Sequence, residues 1–193
     1  MPSGLALLVA GGDNHTKSTG VSLTLSGSDN HSVTGYFLSE FSTTPGLSNF
    51  TAVTAADNYS ASLSFTLSSG DGIKTVYAWL RDTAGNIGGS ASDNISLDTT
   101  APTVSVGPPS DNDSNSGPVS LTVSHTGADN VTLAGDNLTV TATGTAAAGS
   151  KSVSGSGTAT RTITLDNLTG DGTLAVSIPA GTALDNASNT APG

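Results

Sequence analysis

Ten asparagines in this chain stand two residues before a Ser or Thr, the pattern of an N-glycosylation acceptor. They are Asn14, Asn30, Asn49, Asn58, Asn94, Asn112, Asn130, Asn137, Asn167 and Asn186, and none has Pro in the middle position. The chain has thirteen asparagines in all, and 58 of its 193 residues are Ser or Thr. Chance would give about 13 × 0.30, or roughly four, such sites. Nine of the ten follow an Asp directly, and only Asn49 follows a Ser. Two readings compete. Attached glycans require accessible asparagines on a secreted surface. Asp-Asn is also turn chemistry, because both side chains bond nearby backbone and tolerate left-handed conformations.

A second oxygen-rich pattern is Asp111, Asp113 and Asn115, which alternate ahead of Gly117. Hard cations take several carboxylate and carbonyl oxygens from one tight loop, so calcium is the ion this segment would hold. The loop lacks a Glu at its twelfth position, and a solvated turn is the competing reading. Acid–base and nucleophilic chemistry have little to work with. There is no Cys, and Glu40 is the lone Glu. His15 and His31 fill the middle of two sequons, and His125 is placed at a strand end. No helix pattern follows Gly70-Asp71-Gly72 or Gly170-Asp171-Gly172, so both read as hairpin turns rather than phosphate loops. The expectation is a protein that is not an enzyme and requires no cofactor.

Composition narrows the partners. The formal net charge is −10, with five basic residues. Nucleic acid and anionic membrane surfaces are bound by Lys and Arg, so neither is an expected partner. No apolar run approaches the twenty residues of a spanning helix, so membrane insertion is not expected. A disulfide framework is excluded, although a secreted location is not.

The elements that must position these residues are strands. Short alternating segments separated by Gly, Asn and Asp read as strands over 5–9, 21–25, 33–38, 50–53, 62–67, 74–80 and 94–97. A second series covers 103–106, 119–123, 138–143, 150–154, 160–165 and 173–178. Gly and β-branched residues penalise helix throughout. Tyr77 and Trp79 alternate on one face, as core packing requires; an exposed platform for sugars is the alternative.

The chain repeats itself at a spacing near one hundred residues. Gly70-Asp71-Gly72 and Gly170-Asp171-Gly172 each precede an alternating strand, and each strand leads to an Asp-x-Ala-x-Asn turn, Asp82 to Asn86 or Asp185 to Asn189. The expected organisation is all-β, with domains over 1–98 and 103–193 and a linker over 99–102. Pro102 fixes an extended start to the second domain.

Val21-Ser-Leu-Thr-Leu25, Val76-Tyr-Ala-Trp-Leu-Arg-Asp-Thr-Ala-Gly-Asn86, Leu97-Asp-Thr-Thr-Ala-Pro102 and Ile178-Pro-Ala-Gly-Thr-Ala183 resemble the tandem immunoglobulin-like repeats of large bacterial surface adhesins. The resemblance covers essentially the whole chain. It implies two tandem β-sandwiches of the immunoglobulin-like class and an extracellular, cell-surface location. It also implies a calcium role for Asp98 in the linker with Asp82, where capping of the turn by Asp82 and Asn86 is the alternative.

The repeat predicts a closing strand after Asn189, matching 94–97 after Asn86, and the second domain has none before Gly193. Three readings stay open. The chain is a segment of a longer array; another subunit donates the strand; or Leu5, Ala6, Leu7, Leu8, Val9 and Ala10 simply form the first strand of their own domain. That apolar segment is also the candidate donor, and head-to-tail donation builds a filament. The functional expectation is a glycosylated, non-catalytic structural or adhesive protein. It is either a subunit of a filament assembled by strand donation or a stalk segment joined to neighbouring repeats. A calcium-dependent carbohydrate- or receptor-binding module is the alternative.

Overall fold

The computed structural model describes residues 1–193 as two compact units, Met1–Thr99 and Thr100–Gly193. Both are all-β. The only helical turns are three short 3-10 segments, Ala10–Gly12, Leu47–Asn49 and Gly135–Asn137.

The first unit is built from β1 (Ser3–Val9), β2 (His15–Thr16), β3 (Gly20–Ser39), β4 (Thr51–Thr66), β5 (Gly72–Asp82) and β6 (Ala91–Leu97). They run in the order β1-β3-β5-β6-β2, with β4 on the other edge of β3. All neighbours are antiparallel except β2 and β6, which are parallel. Alternation sets the faces: Val21, Leu23 and Leu25 of β3 are buried while Ser22 and Thr24 are exposed.

Segments 21–25 and 33–38, expected as two strands, are one continuous β3. The register shifts between Ser28 and Val33, and Ser32 takes a positive φ of 59°. A bulge of this kind bends a strand without ending it. Before the bulge β3 pairs with β1; after it the same edge pairs with β5. Segments 50–53 and 62–67 fuse likewise into β4, which follows β3 through the bend. Val9, Leu25, Val33, Val76, Leu80 and Ile95 are completely buried in the resulting core, each stabilising the fold by roughly 1.5–3 kcal/mol.

The other face of β5 carries Tyr77, Trp79 and Arg81. Trp79 is buried under Phe37, with ring centres 5.9 Å apart. Phe37 packs in turn on Phe50 at 6.2 Å, and the Arg81 guanidinium caps the Phe50 ring at 5.4 Å. The aromatic pair Tyr77 and Trp79 therefore belongs to a second apolar cluster, not to an open platform.

The second unit contains β7 (Thr103–Pro109), β8 (Val119–Thr126), β9 (Asn130–Val131), β10 (Thr139–Ala142), β11 (Ala147–Ser154), β12 (Thr160–Thr169), β13 (Leu174–Ser177) and β14 (Ala183–Leu184). The main sheet has the order β11-β12-β8-β7. β10 pairs with β13, and β9 with β14, as separate two-stranded sheets. The core is aliphatic: Val123 and Ile163 are fully buried, with Leu133, Leu138, Leu165 and Ile178 around them.

Candidate functional site

All ten sequon asparagines are exposed. Their local settings differ. Asn58 and Asn94 lie within β4 and β6, Asn30 within the β3 bulge, and Asn167 within β12 at a φ of 54°. Asn130 opens β9, while Asn49 and Asn137 end 3-10 turns. Asn14, Asn112 and Asn186 lie between elements. Turn chemistry therefore does not account for Asn58 and Asn94, which sit in paired strands opposite Ser28 and Thr75.

Period-2 geometry explains how the strand sequons at Asn58, Asn94 and Asn130 are presented. In an extended chain, Asn and the Ser or Thr two residues on share one face, and the middle residue points to the other. The middle residues Phe50, Tyr59, Ile95, Leu138 and Ala187 are buried, and Val131 and Leu168 are half-buried. Seven sequons thus combine an exposed asparagine with a buried or half-buried apolar middle residue. The preceding Asp fixes the backbone. Asp93 accepts the Val9 N–H at 2.8 Å and the Asn94 N–H at 2.9 Å. Asp166 accepts the Asn167 N–H at 2.8 Å, Asp29 the His31 N–H at 2.7 Å, and Asp129 the Asn186 N–H at 2.9 Å.

The amide nitrogens separate the two asparagines of the repeated turn from the others, Asn115 outside the sequons included. Asn86 donates from Nδ2 to Asp82 at 2.7 Å, and Asn189 from Nδ2 to Asp185 at 2.8 Å. Their backbone N–H groups bond the same carboxylates, both at 2.8 Å. These two close the repeated turn and are outside sequons. No sequon Nδ2 donates a hydrogen bond; Asn30 and Asn137 use only Oδ1, toward His31 and the Ala134 N–H. The nitrogen that would carry a sugar is free in every sequon.

The acidic candidates for calcium are arranged differently from expectation. Asp111, Asp113 and Asn115 are exposed in the loop after β7, where the Asp113 N–H donates to Asp111 at 3.1 Å. Asp82 and Asp98 do not share a site. Asp82 ends β5, whereas Asp98 follows Leu97, the partner of Gly72 at the other end of that strand. An eleven-residue strand separates such positions by roughly 30 Å. Asp82 is instead buried beside Asp29. The terminal ammonium of Met1 lies 2.8 Å from Asp29 and 3.2 Å from Asp82. The Asn86 amide holds the Asp82 carboxyl down at about 2, against the opposing effect of burial. Asp29 is lowered by the ammonium first and by the His31 N–H second. The sequence carried no signal for this juxtaposition, because the bulge in β3 creates it.

His125 is buried on β8, and neither ring nitrogen has a hydrogen-bond partner. Burial lowers its pKa from 6.5, with Arg161 adding to the effect.

Residues 5–10 complete their own unit. Leu7 pairs with Leu25 and Val9 with Leu23, and both Leu7 and Val9 enter the core. Leu5 and Ala10 pack at its margin, while Ala6 and Leu8 face outward. Within the single chain, the edge of β3 and the core of the first unit take up this strand.

The second unit has an open side. β13 pairs only with β10, so its other edge has no strand partner. A cavity of about 440 Å³ lies beside it, lined by Pro109, Val119, Leu121, Leu165, Leu168 and Val176 among others. In the first unit the corresponding part of β5 is covered by β6, through pairs running from Gly72↔Leu97 to Ala78↔Ala91.

No protein-family model, no curated protein and no solved structure matches this chain.

Proposed function

We propose that this chain is part of an extracellular, non-catalytic structural or adhesive glycoprotein, built from immunoglobulin-like units and carrying N-glycans on its Asp-Asn sequons. One observation carries the reading. All ten acceptor asparagines are exposed with a free Nδ2, whereas the two turn asparagines outside sequons spend theirs on a carboxylate. The strand pairing of the first unit supports the immunoglobulin-like assignment, including the parallel pairing of β2 with β6. The role is mechanical and interfacial: neighbouring repeats or further subunits join head to tail as a stalk or filament on the cell surface, and the glycans shield exposed backbone. Glycopeptide mass spectrometry on protein purified from its native source tests this directly. Sugar on several of the ten asparagines is the expected result. Ten bare asparagines would end the glycoprotein reading.

A further inference from the structure

The two units offer an internal comparison that points to an interaction site. Aligning Gly70-Asp71-Gly72 with Gly170-Asp171-Gly172 superposes Val76 on Val176 and Ala78 on Ile178. Val76 is completely buried, with β6 alongside its strand. Val176 is only half-buried and borders the cavity. We propose that the cavity and free edge of β13 form an acceptor site for one extended strand with the chemistry of β6, running antiparallel to Leu174–Ser177. This deepens the strand-built structural reading above and rests on it.

Three features define the occupant. The edge demands backbone hydrogen bonds from an extended chain, the mode of β-strand addition. The cavity demands apolar residues at alternate positions; in β6, Ile95 and Leu97 meet that demand, 0% and 1% exposed. Charge supplies the third. Asp111 is the sole ionisable residue among those lining the cavity, so the inserted face must be uncharged to avoid an unpaired buried ion. In β6 the one charged residue, Asp93, lies on the face of Ile95 and Leu97 and accepts hydrogen bonds from the Val9 and Asn94 N–H groups. Of the other free edges, β11 contains Lys151 and β7 contains Pro108 and Pro109, whereas β1 and β10 contain neither Lys nor Pro. Such residues discourage edge pairing. Leu174–Ser177 has none of them.

A second copy's β1 has the right alternation, at Leu5, Leu7 and Val9. Withdrawing it would reopen its own unit, since Leu7 and Val9 already lie in that core. The exchange vacates one groove to fill another and yields no net burial. The favoured occupant is therefore a strand with the chemistry of β6 and not β1.

The test appends this chain's own Ala-Ser-Asp-Asn-Ile-Ser-Leu-Asp, residues 91–98, after Gly193. Gly193 is the counterpart of Ser90, because Asp185 − Asp82 = 103 and 193 − 103 = 90. A Cβ built there would lie 2.9 Å from the carbonyl of Ile178, two residues on from Val176. Calorimetry reads both units, while the fluorescence of Trp79 reads the first alone. The fused chain should raise the fluorescence-silent transition by roughly 10 °C. A labelled peptide of residues 90–98 should bind the unmodified full chain saturably and the fused chain at least tenfold more weakly. The same peptide with Ile95→Asp and Leu97→Asp should not bind. An unmoved transition together with no peptide binding would overturn the site. So would self-association of the unmodified chain that disappears on fusion, which would assign the groove to a second copy. Neither result bears on the glycopeptide masses, so failure here is separable from failure of the glycoprotein reading.

Discussion

The two units share a turn and differ in what surrounds it. Asp82 with Asn86 and Asp185 with Asn189 make the same pair of bonds, to the backbone and to the amide. Around that fixed piece the packing diverges. Every aromatic residue of the chain lies before residue 80. The first unit therefore has a cluster on each face of β5, one largely aliphatic with Tyr59 buried in it and one aromatic, and a β6 alongside β5. The second has a single aliphatic core and a two-stranded sheet with a bare edge. Retained turns with divergent cores show that local hydrogen-bond chemistry sets the chain path, while packing sets how firmly each unit is held.

The sharpest way to break this comparison is in the core. Leu80→Ala removes a fully buried side chain and should cost the first unit about 3 kcal/mol. The loss is read from denaturant titration followed by Trp79 fluorescence, with the silent transition of the second unit unmoved. A shift in both would mean that the units unfold together. Next in size is the shared turn. Asp82→Ala and Asp185→Ala each strand an Asn backbone N–H and amide, and should each cost about 2 kcal/mol in their own unit. Unequal costs would show that the surroundings, not the turn, carry the energy.

Acid should separate the units by order of loss. The folded-state pKa of His125 lies below its ordinary 6.5. The unfolded chain therefore binds the proton more readily, and this contribution to stability is full above 6.5 and is lost as pH falls below it. Asp82 sits near 2 instead of 3.8. Its contribution is full above 3.8 and declines from there toward 2. Calorimetry between pH 7 and 4 should show the second unit weakening first, and His125→Leu should remove that early loss. The smallest effects belong to the sequons. Asn58→Gln and Asn167→Gln in unglycosylated protein should stay within about 0.5 kcal/mol of the parent. Asn86→Ala should cost about 1–2 kcal/mol, because it breaks the bond to a buried carboxylate. A costly Asn58→Gln would mean that its side chain is structural after all.

Much of this was legible in the sequence. Alternation of apolar residues marks the long strands, since one face must be buried. Aligning the two halves also pairs the turn at Asp82–Asn86 with that at Asp185–Asn189. Three things were not legible. Ser28-Asp29-Asn30-His31 reads as a turn, yet β4 follows β3 through it, so a bulge stands where a break was expected. β2, β9 and β14 are two residues long and carry no periodic signal. The separation of Asp82 from Asp98 depends on which end of β5 each occupies, which sequence distance does not reveal.

The parallel pair β2–β6 has a further consequence. The Ser96 N–H bonds the Asn14 carbonyl, and the Asp98 N–H bonds the Thr16 carbonyl, both at 2.9 Å. The chain enters the unit through β1, passes to β2 and leaves it after β6. Tension applied between β2 and the end of β6 loads these bonds together, in shear, instead of opening them one at a time like a zipper. Single-molecule pulling should find the first unit yielding at the higher force; equal forces would count against it. The pair of bonds at the threshold is the latch that such a pull would test.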